Sequence, residues 1–204
     1  MRAGMRQDRP AVAVLTRRRL IQTGVAGSAL LAVGGTVLGW ATLGYHLEPG
    51  EWAIGLSVKE FCVVRALVAT IVPGGGKLKP GVELGVPQRI DEEVWAADDG
   101  MRADIRNILQ FIEHVPPVYG HFGRFSSLGR EAREKVLRSL MTSSQTIFVQ
   151  AAMAAKELVY LYYYSHDETW DALGYPGPLV DYNKPPASAL RYQQLIATRK
   201  ARKS

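Results

Sequence analysis

Only one cysteine, Cys62, occurs among the 204 residues of the chain. A lone thiol excludes an intrachain disulfide, a cysteine metal site and c-type haem attachment, which needs a CxxCH. The fold must therefore be held by packing, its own or that against a partner. Other absences narrow the chemistry. No GxGxxG is present, so the chain does not hold a dinucleotide in the usual way. The run Gly74-Gly75-Gly76 follows no strand and precedes no GK[ST], which makes it a linker rather than a phosphate loop. Four histidines, His46, His114, His121 and His166, form neither an HExxH nor any i, i+4 pair, leaving a zinc site without support. No segment alternates like a strand, and there is no internal repeat.

Acidic residues are missing where basic ones collect. Residues 1–19 carry six Arg and one Asp, and residues 191–204 carry five Arg or Lys and no acid. Between them the chain is mildly acidic, although the net charge is +6. A nucleic-acid reader carries its charge as a patch on the folded body, so this distribution argues against nucleic acid.

Residues 20–47 lack every charged side chain, a run of 28 positions rich in Gly, Ala, Leu and Val. About 20 apolar residues suffice to cross a bilayer as a helix. A basic segment followed by an apolar run has the form of an export signal. Thr16, Arg17, Arg18, Leu20 and Ile21 resemble the twin-arginine export motif, with Leu20 in place of the usual Phe. The other reading is a juxtamembrane basic cluster held inside by the positive-inside rule. No clean A-x-A cleavage site closes the run, so the segment is either removed or retained as a membrane tether.

From Ser57 the pattern turns helical. Ser57 and Glu60 form a capping box, and Phe61, Val64, Leu67, Val68 and Ile71 share one face before Pro73 and the glycines end the helix. Pro87 opens a second helix with Ile90, Val94 and Trp95 inward; Asp91, Glu92 and Glu93, like Asp98 and Asp99, read as solvated. A third spans 101–113. A fourth runs from a cap at Ser126 or Ser127 to about Met141, with Ala132, Val136, Leu137 and Leu140 inward. The longest, about 144–165, is apolar nearly all round, which places it at the centre of a bundle or beneath another subunit. Asp167 begins a short helix ending at Gly174. The fold class is all-α: a small bundle of five to six helices preceded by an N-terminal signal or anchor helix. The division is 1–46 signal, 47–180 helical domain and 181–204 basic tail.

Chemistry-bearing candidates are few. His114 and His121 flank "VPPVYG" and are candidates to meet in space, while His166 beside Asp167 and Glu168 is a candidate general base; interface and cap packing are the plain alternatives. Cys62 reads as a small apolar core residue, with Arg65 alone to activate it. Tyr160, Tyr162, Tyr163 and Tyr164 cannot all face one core, because they go around more than one helical face. At least one points outward, where tyrosine favours interfaces, and Trp170, Tyr175 and Pro176 extend that candidate partner surface.

The order of these pieces resembles the gluconate 2-dehydrogenase subunit 3 family. They are the export motif at 16–21, "LSVKEFCVVRALVATIVPGG" at 56–75, "ELGVPQRIDEEV" at 83–94 and, most specific, "YYSHDETWDALGYPGP" at 163–178. The resemblance implies a periplasmic, non-catalytic small subunit. Its implied role is to bind a flavoprotein large subunit of the glucose–methanol–choline class, aid its maturation and carry it through the twin-arginine translocase. It implies no cofactor on this chain, FAD in the partner, and haem c in a multihaem cytochrome c as a third component. The competing expectation is an independent, membrane-tethered periplasmic ligand binder or enzyme.

Overall fold

The computed structural model describes residues 44–177 and 187–202, and their regular structure is helical throughout. The export motif and most of the apolar run lie outside the described residues. The helices are α1 (Val58–Ile71), α2 (Val86–Ala96), α3 (Asp99–His114), α4 (Arg130–Met141), α5 (Thr146–Tyr164), α6 (Trp170–Leu173) and α7 (Ala187–Ala201). Among the described residues there is no strand beyond an isolated Gly75–Leu78 bridge, and no helix is long and apolar enough to cross a membrane.

Helix α1 starts as its sequence dictates. The Glu60 amide donates to the Ser57 hydroxyl, while the Glu60 carboxylate accepts from the Ser57 amide at 2.8 Å. Phe61, Val64, Leu67 and Val68 are buried, and α1 packs against α2, α3, α4 and α5. It is the central helix. Each such side chain contributes about 1.5–3 kcal/mol through its burial.

Helix α5 is not central. Ala151, Ala152, Ala155, Val159 and Tyr163 are buried along one face, while Met153, Leu161 and Tyr164 stand in solvent. The three alanines let its backbone approach the bundle closely, and Val159 and Tyr163 fill the same face further along. One face is thus buried against α1, α2, α3 and α4 and the other stands in solvent.

Charged residues seal the helix ends. Asp98 caps α3 by accepting from the amides of Gly100 and Met101. Arg102 donates to the carbonyls of Val94, Trp95 and Ala97, satisfying the orphan acceptors at the end of α2.

Two carboxylates are fully buried and tie distant segments together. Asp91 accepts from the amides of Ile54 (2.9 Å) and Leu56 (2.7 Å) and from the Tyr192 hydroxyl (2.5 Å). Gly55 fits between these contacts only because it has no Cβ: one would lie 2.4 Å from the Asp91 carbonyl oxygen. Glu113 accepts from the Tyr45 hydroxyl (2.7 Å) and from the amide (2.9 Å) and hydroxyl (2.7 Å) of Ser126. These correct two expectations. Asp91 is a buried anchor rather than a solvated acid, and Ser126 serves Glu113 in a 3₁₀ turn while α4 begins after Gly129.

The basic stretch 187–201 forms a helix on the body rather than a bare tail. Ala189 and Tyr192 are buried, Trp95 and Tyr192 rings lie 6.1 Å apart, and Arg199 donates to the Ala53 carbonyl at 2.6 Å.

Candidate partner-binding surface

At its C-terminal end α5 sends four tyrosines in different directions. Tyr163 turns inward, where its hydroxyl donates to the Lys79 carbonyl at 2.8 Å and burial pushes its phenol above the usual range. It is a core residue and not available to a partner. Tyr162 is half-buried beneath the Arg89 guanidinium, which sits 6.0 Å from the ring centroid. Tyr160 is half-buried and Tyr164 exposed, with rings 5.4 Å apart; the Lys156 ammonium lies 5.2 Å over Tyr160.

The chain then doubles back through a 3₁₀ turn, Asp167–Thr169, into α6. The Trp170 indole N–H donates to the Tyr164 carbonyl at 3.2 Å, which sets Trp170 beside the end of α5. Tyr175 meets Trp170 edge-on, centroids 5.3 Å apart at 84°, and its amide donates to the Trp170 carbonyl at 2.9 Å. Gly177, at φ 98°, presses on the other part of the indole; a Cβ there would lie 3.3 Å from the ring and in an unfavourable backbone region. The turn is thus built around the tryptophan. Pro176 is exposed beside it.

The result is an outward ridge of Tyr160, Leu161, Tyr164, Trp170, Leu173 and Tyr175. Leu161 is 62% exposed and Leu173 51%, yet neither was singled out from sequence. For Leu161 the signal was helical spacing: Met153, Glu157, Leu161 and Tyr164 recur at four, four and three residues on the face opposite the buried alanines, while nothing comparable marked Leu173 in its four-residue helix. An ion pair of Lys79 with Glu168 flanks the turn. The ridge has the aromatic content of an interface core.

The other candidates scatter. His46 pairs with Glu48 at 3.3 Å on the surface. His114 Nε2 lies 2.9 Å from the Lys59 ammonium; burial foremost, and that cation next, hold its pKa below the ordinary imidazole value. His121 is half-exposed in a loop, and His166 Nδ1 lies 3.2 Å from Asp167. No group of three His, Cys, Asp or Glu among the described residues is placed to hold a metal ion. Cys62 is buried, its Sγ 3.2 Å from the His46 carbonyl, and burial pushes its thiol up despite Arg65. A cleft of about 500 Å³ lies between α2, the end of α5 and α7, lined by Gln88, Arg89, Glu92, Tyr162, His166 and Gln193 among others.

Comparison of the chain with protein-family models, curated proteins and solved structures gives no match.

Proposed function

We propose that the protein is the non-catalytic small subunit of an exported flavoprotein dehydrogenase, docking the large subunit through the ridge at the end of α5 and escorting it through the twin-arginine pathway. The observation that carries this reading is the outer face of α5. A helix with apolar residues on both sides, one packed and one in water, is a helix waiting for a cover. That cover coincides with "YYSHDETWDALGYPGP", the stretch with the most specific resemblance, in which Tyr163 is buried in the core while Tyr164 and Tyr175 stand in solvent around the half-buried Trp170. FAD belongs to the partner in this reading, and a multihaem cytochrome c receives the electrons.

The test is purification from the native host through a C-terminal tag. Co-elution of a large subunit with flavin absorbance supports the reading, and Leu161→Glu with Tyr164→Glu abolishes it. A folded, colourless chain eluting alone overturns it. The cleft against α7 favours a second reading, an independent membrane-tethered periplasmic ligand binder or enzyme. That alternative expects full function from the lone chain and indifference to the double substitution.

A further inference from the structure

The loop between α3 and α4 presents another apolar feature, well apart in sequence from the ridge. Residues 116–119 form a 3₁₀ turn, and the backbone is fixed on both sides of it: the His121 amide donates to the Pro116 carbonyl at 3.1 Å and the Gly120 amide to that of Pro117 at 3.1 Å. Gly120 and Gly123 take positive φ, 77° and 155°, so the chain turns at the first and bends at the second in backbone conformations that favour glycine. The loop therefore holds its side chains out rather than letting them fold back. Pro117 is exposed, Val118 is 67% exposed, and Phe122 is 95% exposed, the most of any large apolar residue described. Single exposed apolar residues are ordinary. Three on one hydrogen-bonded tip are not.

What stands beside this tip decides its occupant. The chain enters the described body at Gly44 and Tyr45, and Tyr45 is pinned to this same corner. Its hydroxyl donates to Glu113, the residue that also holds Ser126, and the Arg124 guanidinium stacks 4.2 Å over its ring. Tyr45 and Leu47 are also the end of the 28-residue uncharged run, longer than the roughly 20 residues a membrane-crossing helix needs. An apolar run lying in a bilayer delivers the chain to the body at Gly44 and Tyr45, and Arg124, which stacks on Tyr45, follows Phe122 by two residues in the same loop. Tyr45 and Arg124 belong to the residue types that settle at the headgroup level.

We propose that the tip formed by Pro117, Val118 and Phe122 seats in the lipid headgroup region, making a second contact that orients the body on the membrane. The proposal rests on the reading of residues 20–47 as a retained anchor and is independent of the flavoprotein partner.

The experiment is site-directed spin labelling of the full chain on phosphatidylglycerol–phosphatidylcholine vesicles. Phe122→Cys carries the label in one sample and Glu157→Cys, exposed on α5, in another. Cys62 is buried with its thiol pushed up, so labelling falls on the introduced position. The expected result is a label at 122 reached by oxygen and shielded from a water-soluble nickel complex, and a label at 157 with the opposite preference. Equal water exposure at both positions on a vesicle-bound chain overturns the tip contact and leaves the anchor standing. A chain that fails to associate with the vesicles overturns both. Neither result bears on co-elution of a flavoprotein, so the two readings fail separately.

Discussion

Two side chains illustrate how a small disulfide-free domain secures its irregular parts. Asp91 and Glu113 each spend a buried carboxylate on backbone amides outside the α-helices and on hydroxyls that tie in more distant segments. Unmet, each such donor costs about 1–3 kcal/mol. Asp91→Ala, which strands the amides of Ile54 and Leu56 and the Tyr192 hydroxyl, is therefore expected to lower the unfolding free energy by at least about 3 kcal/mol in urea titrations. Tyr192→Phe removes one partner and leaves Asp91 two others, so a loss of about 1 kcal/mol is expected. Equal effects of the two would mean that the carboxylate matters only as the seat of α7. His114 supplies a pH dependence. Its folded pKa is depressed, chiefly by burial, so the unfolded chain takes up the proton first as pH falls. The stability gained from the neutral ring is complete above the unfolded value of about 6.5 and is lost as pH falls from there through the folded value. Denaturation midpoints measured between neutral and mildly acidic pH should fall, and His114→Gln should flatten the decline.

Helix α5 divides into two faces with opposite expected responses. Val159→Glu drives a charge among Ala152, Ala155 and Tyr163 and should abolish a cooperative thermal transition, whereas Leu161→Glu should shift stability by no more than about 0.5 kcal/mol. Circular dichroism melts of the two variants distinguish them directly. This division also marks what the sequence could convey. The capping box and period of α1 were legible because both act within four residues, as were Pro87 at the opening of α2 and Gly174 at the end of α6. The facing of Tyr163 against Tyr164 was not, although Ala152, Ala155, Val159 and Tyr163 trace the inner stripe once its direction is known. Asp91 looked solvated because Glu92 and Glu93 follow it, while its partners lie 35, 37 and 101 residues away. In α7 the arginines and lysines masked Ala189, Tyr192 and Ile196, spaced by three and four, a stripe too short to stand out without Trp95 and Asp91 opposite it. Local chemistry announced the helices; the choice of face needed the neighbours.

For the whole molecule the decisive feature is the separation of its charge, basic at both ends and mildly acidic between them. Two accounts of Arg17 and Arg18 make different demands on that charge. A basic cluster that orients a membrane anchor needs only positive side chains, so lysine serves as well as arginine. A receptor-read address needs the guanidinium groups themselves, whose planar fork of donors lysine lacks. Arg17→Lys with Arg18→Lys keeps the net charge of +6 and leaves the described body untouched. On the proposed function, fractionation of cells carrying this double variant should find both the small subunit and its flavoprotein retained in the cytoplasm, still co-eluting, with dehydrogenase activity lost from the periplasm. Normal delivery of both proteins would identify the arginines as an orienting cluster and remove the export half of the proposal. Retention of the small subunit alone, with the flavoprotein delivered normally, would show that the partner travels on its own signal. The docking ridge would then serve assembly after export rather than carriage through it.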